Sequence, residues 1–245
     1  MDLKEYDIMY RAEESHWWYQ GMARITRKIV ENYYHPGGGL RILDAGCGTG
    51  AGMILLSDYG MVTGLDLSPY AIRFCLKRGT RRIARASVMA LPFPDQSFDL
   101  VTSFDILYFE KISDEIALHE YARVLIPGGR IILRVPAFDW LRGVHDEKVS
   151  TGHRYTLEEL SGKIAHSGLQ PEFINYVNSI LFPLVVLKRL SEKWLPMQTD
   201  SDIAVNMGLL GLIFKYCLIL ESHLVKRYRF PFGVSLVAVG RKPST

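Results

Sequence analysis

Disulfide chemistry has little to work with in this chain. Its 245 residues hold three cysteines, Cys47, Cys75 and Cys217, odd in number and widely spaced. Neither a disulfide framework nor a zinc knuckle follows from that pattern, and a reducing compartment fits it best. Long apolar runs are also lacking. A membrane-spanning helix needs about 18–20 consecutive apolar residues, and the nearest approach, residues 207–220, is shorter and contains Lys215. The start, Met1-Asp2-Leu3-Lys4-Glu5-Tyr6, has no apolar leader, so the expected location is the cytoplasm. Charge of one sign is scarcely in excess: 29 Lys+Arg against 26 Asp+Glu leave +3. That balance does not predict a nucleic-acid partner. The local basic groups around Lys77–Arg85 and Lys226–Arg229 read as solvated faces, with a peripheral membrane contact as the alternative. No internal repeat or low-complexity tract is present, and a monomer or homodimer is expected.

What is present is an alternation of strand and helix patterns long enough for one sizeable core. Apolar spacing predicts helix over residues 8–34, followed by a flexible joint at Gly37-Gly38-Gly39. Strands fit 41–45, 61–65, 83–88, 98–103 and 130–135, with helices at 50–58, 69–78 and 113–124. Thr156 and Glu159 form a capping-box pattern opening a helix over 156–167, and strands near 171–177 and 233–239 finish the sheet. This rhythm predicts an α/β fold: a seven-stranded mixed sheet, mostly parallel, its last strand antiparallel, with helices on both faces. The expected organisation is an N-terminal helical lid (1–36), a Rossmann-like core (37–177), a helical insertion or cap (178–230), and a final strand with tail (231–245).

The segment Ile42-Leu43-Asp44-Ala45-Gly46-Cys47-Gly48-Thr49-Gly50 reads as a buried strand, an acidic residue and a glycine-rich turn into a helix. Asp66 follows at the end of a second strand, where a carboxylate can accept both ribose hydroxyls of a nucleoside cofactor. The spacing Gly-x-Gly-x-Gly differs from the dinucleotide Gly-x-Gly-x-x-Gly, and no P-loop lysine is present. An acid beside the glycines suits a cofactor with a cationic amino-acid end better than one with a pyrophosphate.

At these residues the chain resembles the class I S-adenosylmethionine-dependent methyltransferases. Leu43–Gly50 matches their first motif and Asp66-Leu67-Ser68-Pro69 the second. Leu91-Pro92-Phe93 with Phe98-Asp99-Leu100-Val101, and Arg123–Gly129, match the segments around the fourth and fifth strands. The resemblance implies S-adenosyl-L-methionine as cofactor. Asp44, Gly46, Cys47 and Gly48 would lie along its amino-acid end and ribose, and Asp66 would hold the ribose hydroxyls. Leu67, Val88 and Met89 would border the adenine, and Phe104 would line the pocket beyond the fourth strand. Ser87 stands where the family often has an aspartate on the adenine amino group. An N-terminal Glu14-Ser15-His16-Trp17-Trp18-Tyr19 resembles a subgroup with a His-Trp-Trp motif, implying that Trp18 belongs to a lid over the cofactor.

Many relatives carry a Glu-His pair after the fourth strand, where this chain has Tyr108-Phe109. Candidate catalytic residues are therefore Tyr108 and two histidines of the loop after strand five, His145 and His153. Tyr10, Tyr108, Trp140, Arg154 and Tyr155 are candidates for substrate contact, with Arg154 binding an anionic group or pairing with Asp146 or Glu147. His145, Asp146 and His153 are metal-type residues without diagnostic spacing, and no metal is expected. The apolar stretches after residue 178 point to a hydrophobic acceptor. The function so read is O- or C-methylation of a small, hydrophobic or lipid-like metabolite. Methylation coupled to cyclisation of a polyene, and a non-catalytic cofactor-binding protein on the same fold, are the alternatives.

Overall fold

The computed structural model describes residues 3–143, 146, 151–194 and 208–244. Seven strands form one sheet: β1 (Leu40–Ala45), β2 (Gly60–Asp66), β3 (Ile83–Arg85), β4 (Phe98–Phe104), β5 (Leu125–Pro136), β6 (Gln170–Val177) and β7 (Ser235–Arg241). Their spatial order is β3-β2-β1-β4-β5-β7-β6. The pairings from β3 to β5 are parallel, and β7 runs antiparallel to both β5 and β6. The expected mixed, mostly parallel sheet is what forms.

Both faces of the sheet are apolar, as a doubly covered sheet requires. Successive side chains point to opposite faces. Leu43, Val101, Ile131 and Ala238 enter one core; their neighbours Ile42, Leu100, Ile132 and Val239 enter the other. The helices are α1 (Leu3–Ser15), α2 (Trp17–Val30), α3 (Ala51–Leu56), α4 (Pro69–Lys77), α5 (Asp114–Val124), α6 (Leu157–His166), α7 (Phe182–Trp194) and α8 (Gly208–Leu224). Burying Met22, Ile25 and Ile29 builds α2 into the second core. It also meets α8 closely: a Cβ on Gly21 would lie 2.4 Å from Leu218. Only α1 of the expected lid therefore stands apart from the sheet; α2 is core.

The predicted helix over 8–34 is two helices. His16 interrupts it with extended backbone, and its Nδ1 accepts from the Trp18 amide at 3.3 Å, so the histidine caps α2. The predicted strand over 83–88 ends at Arg85, because Ser87 turns the chain by accepting from the Met89 amide. At α6, Thr156 accepts from the Glu159 amide as a capping box requires, while the Glu159 carboxylate turns to His153 instead. Among the described residues no helix is long and apolar enough to cross a membrane.

Candidate cofactor and acceptor site

The order of strands reverses between β1 and β4, and ligands of open α/β sheets bind at the carboxyl ends of strands at such a point. Asp44 and Thr102 sit opposite each other across that boundary. The Asp44 carboxylate is buried and accepts from the Thr102 hydroxyl at 2.8 Å. Burial pushes its pKa up to about 6.

The glycine-rich turn hooks onto the end of β2. The Gly46 and Cys47 amides both donate to the Leu65 carbonyl, at 2.7 and 2.9 Å. Gly46 has a φ of +83°, and a Cβ there would lie 2.3 Å from Ile106, so no other residue fits. Asp66 then closes the turn: one oxygen accepts from the Gly48 amide at 3.0 Å and the other from the Ser68 amide at 2.9 Å. The Leu67 amide also faces this carboxylate, which as an acceptor-only group can still take a further donor. Under the turn, the Cys47 and Cys75 sulfurs lie 3.8 Å apart as free thiols.

Helix α1 lies against this turn. Tyr6, Ala71 and Phe74 form a small buried cluster, and Met9 approaches Gly48. Burial and the nearby Asp66 carboxylate push the Tyr6 phenol up to about 12. Glu13 accepts from the Thr49 hydroxyl and pairs with Arg78 at 2.8 Å, and Arg78 in turn donates to the Thr49 carbonyl. Burial lifts the Glu13 carboxyl to about 7. Tyr10 packs on Phe74, with Arg78 4.4 Å from its ring centre. Its contacts thus join α1 to α4.

Beyond β4, Asp105 takes a φ of +58° and pairs with Arg134. The Arg134 guanidinium lies 5.5 Å from the Trp18 ring and 5.2 Å from Phe104. Tyr19 stands beside Trp18, with Glu13, Asp105 and Arg134 in its electrostatic surroundings. Burial, with the Asp105 and Asp146 carboxylates nearby, pushes the Tyr108 phenol up and holds it protonated. Past β3, Val88 is buried, the Met89 sulfur accepts from the Ser113 amide, and Leu67 is left 63% exposed beside Asp66.

The loop after β5 is held by its own charges. Arg154, 7% exposed, makes a two-pronged pair with Asp146 at 2.9 and 3.0 Å and donates to the Ala137 carbonyl. His153 has both ring nitrogens against carboxylates, Nδ1 3.3 Å from Asp139 and Nε2 2.8 Å from Glu159. The Tyr155 hydroxyl donates to the Leu107 carbonyl and lies 2.8 Å from Asp114. The polar atoms of His153, Arg154 and Tyr155, the expected base and substrate contacts, are thus engaged within the loop, Arg154 in the expected alternative pairing with Asp146. His145 lies outside the described residues. Trp140 remains 55% exposed at the edge of an aromatic group with Phe138, Tyr176, Phe182 and Phe232. That group sits at the carboxyl ends of β5 and β6, the edge that carries the glycine turn. Among the described residues, one metal-type trio, Glu115, His119 and His166, lies on exposed faces of α5 and α6 and includes none of the predicted site residues.

Tyr6, Glu13, Asp105 and Arg134 were not legible as residues of this region. The signal for the α1 pair was its spacing: Tyr6, Met9, Tyr10 and Glu13 recur every three or four residues along one helical face.

A glycine-rich turn at the switch point of a seven-stranded sheet with an antiparallel β7 defines a Rossmann-like fold. A family profile described as a methyltransferase domain matches residues 43–133. An uncharacterized protein of Methanocaldococcus jannaschii is 32% identical over 177 residues, spanning 68% of this chain and 74% of that protein. A fatty-acid O-methyltransferase of Mycolicibacterium smegmatis is 34% identical over 119 residues, 44% of this chain and 43% of that protein. A chain from a Haloferax volcanii complex of the Trm112 methyltransferase activator with a methyltransferase is 21% identical. It has a TM-score of 0.64, covers 99% of this chain and 96% of its own, and speaks to the fold alone. The chain spans about half the length of most of the curated relatives it matches. Over residues 43–133 the chain belongs to the methyltransferase-domain family, whose methyl donor is S-adenosylmethionine.

The residues fit that family's cofactor. The Asp66 carboxylate is placed to accept from a ribose, and the buried Asp44 carboxyl would face the cofactor's cationic end. A pH dependence follows. The raised pKa values mean that the folded chain holds more protons than the unfolded one, between 3.8 and about 6 for Asp44 and between 4.5 and about 7 for Glu13. Without cofactor, stability is expected to fall as pH rises through that window. A cation beside Asp44 favours its charged form, so cofactor binding should strengthen over the same interval. Thermal melts from about pH 5 to about pH 7.5 check both signs: the free protein's melting temperature falls while the increment from S-adenosylmethionine grows.

Proposed function

We propose that this chain transfers the methyl group of S-adenosylmethionine to a carbon or oxygen atom of a small hydrophobic acceptor. The observation that carries the reading is the placement of the Phe138–Trp140–Phe182–Phe232 aromatic group at the same sheet edge as the Asp66 turn. The fatty-acid activity named for one relative is consistent with it. Asp66 would hold the ribose, and Gly46, Cys47 and Gly48 would let the cofactor lie against the backbone. Asp44 would sit nearest its cationic end. Leu67, Ser87, Val88 and Met89 would border the adenine, and Phe104 with Trp18 would close the pocket around the methionine portion. We place the chain in the subgroup with the His-Trp-Trp motif, in which His16 caps α2 and so aims Trp17 and Trp18.

When bound, the cofactor supplies an electrophilic methyl group on a sulfonium, an excellent leaving group. The protein's part is then alignment and exclusion of water. Burial holds the Tyr108 phenol protonated, and both ring nitrogens of His153 face the Asp139 and Glu159 carboxylates rather than a substrate. That favours an acceptor already nucleophilic, a carbon centre or an acidic hydroxyl. Coupled methylation and cyclisation is supported by the same rings, since aromatic faces stabilise cations; a rearranged product skeleton would distinguish it. Three free thiols, two of them close together, are consistent with a reducing cytoplasmic setting.

The test is transfer of radiolabelled methyl into an organic-soluble product across fatty acids, polyketides and quinone-like rings. Cofactor that binds but is never consumed with any acceptor would leave the non-catalytic alternative standing. Within a working assay, Trp140→Ala should raise KM for the acceptor about tenfold, with cofactor affinity unchanged, because truncating an aromatic contact removes on the order of 1–2 kcal/mol.

A further inference from the structure

Helix α8 is apolar on two opposite faces. One, with Gly211, Phe214 and Leu218, packs inward against α2: Leu218 meets Gly21, and Phe214 lies 5.2 Å from Trp17. The other carries Leu209, Leu212, Ile213, Tyr216 and Leu220, spaced three or four residues apart, and it is open to solvent. Leu209 is 74% and Tyr216 66% exposed. A helix apolar all round belongs in a buried setting, and a contiguous apolar stripe on a surface marks a contact. At the carboxyl end of α8 the exposed run Lys226-Arg227-Tyr228-Arg229 follows. Between residues 208 and 232 the sole carboxylate is Glu221, which is fully buried and accepts from the Ser179 and Ile180 amides. The outer surface of this segment is therefore apolar and cationic, with no acid of its own.

We infer that the outer face of α8 docks on an anionic lipid bilayer. An in-plane helix buries leucines and a tyrosine at the level of the headgroups and sets lysines and arginines against lipid phosphates. Each basic side chain near such a surface strengthens binding about fivefold. A second copy of the chain would cover the leucines, but its own stripe offers no exposed carboxylate to the basic run. The bilayer satisfies both features at once. Through the Glu221 contacts, α8 also holds the start of α7, where Phe182 joins the Trp140 group. Docking would thus set the aromatic mouth beside the bilayer, the source of a hydrophobic acceptor. The last step rests on the proposed function; the docking does not.

The experiment is co-sedimentation of the full chain with vesicles of phosphatidylcholine alone or mixed with phosphatidylglycerol. Binding to the mixed vesicles is expected to be at least about tenfold tighter and to weaken with salt. The pair Leu212→Glu with Tyr216→Glu should lower it about tenfold or more, and Arg227→Glu should remove most of the phosphatidylglycerol preference. Unchanged S-adenosylmethionine binding shows that the variants are folded. No sedimentation with mixed vesicles at low salt overturns the inference, as does binding indifferent to these substitutions. A dimer that the Leu212 and Tyr216 changes dissociate, without vesicle binding, assigns the face to a second copy and overturns it too. Methyl transfer to a detergent-dispersed acceptor, measured in parallel, reports on the proposed function separately.

Discussion

Replacing Asp66 with alanine is expected to abolish saturable S-adenosylmethionine binding. Two ribose hydroxyls meeting a carboxylate make charge-assisted hydrogen bonds worth roughly 1.5–3 kcal/mol each. Losing both costs about 3–6 kcal/mol, on the order of a hundredfold to ten-thousandfold in affinity. The geometry adds to this. Asp66 also accepts from the Gly48 and Ser68 amides, so alanine frees the turn that shapes the pocket. Asp66→Asn keeps the shape and one acceptor oxygen and should fall between the two. Titration calorimetry measures the affinity, and a melt of the free protein separates lost binding from lost folding. Asp66→Ala binding within about threefold of the native protein would remove the ribose assignment, since a single hydrogen bond to a charged group is worth more than that.

The parts of the site legible in the sequence are those whose neighbours along the chain do the work. Asp44, the glycines and Asp66 form a short-range pattern, because a parallel strand ending in a tight turn leaves its signature in consecutive residues. The sheet was legible for a similar reason: each strand buried on both faces is a run of apolar residues. The fate of His153 and Arg154 was not. Their carboxylate partners include Asp139 and Glu159 on separate elements, and only the folded chain decides whether a histidine at that edge meets a substrate or a neighbour. Glu13 was hidden likewise, since its partners Thr49 and Arg78 lie far along the chain. The break at His16 was missed because apolar periodicity continues through it, while the capping bond to Trp18 depends on ring orientation.

Arg154→Ala is expected to destabilise the fold rather than to weaken acceptor binding selectively. Arg154 and Asp146 are both nearly buried, at 7% and 5% side-chain exposure. Burial acts to raise the Asp146 pKa, but the guanidinium outweighs it and holds the carboxyl below its ordinary value. Removing one partner strands the other charge out of water, at a cost of about 3–5 kcal/mol. For a chain of this size that lowers the melting temperature by roughly 10 °C. The loss should spread, because Asp146 also accepts from the Gly143 amide while Arg154 holds the Ala137 carbonyl. Together these contacts fold the loop back onto the end of β5. Exchanging both partners for apolar residues, Asp146→Leu with Arg154→Met, should recover much of the stability, since a buried pair often contributes little net over a packed apolar one. An arginine placed to bind an anionic acceptor would behave in the opposite way: its loss would leave the melt in place and raise KM alone. Because the pair is ionised, its contribution should be present above the ordinary aspartate pKa and disappear as pH falls through the lowered value. A melt of the native protein and both variants, repeated at about pH 7 and about pH 3, separates the structural pair from the acceptor-binding arginine.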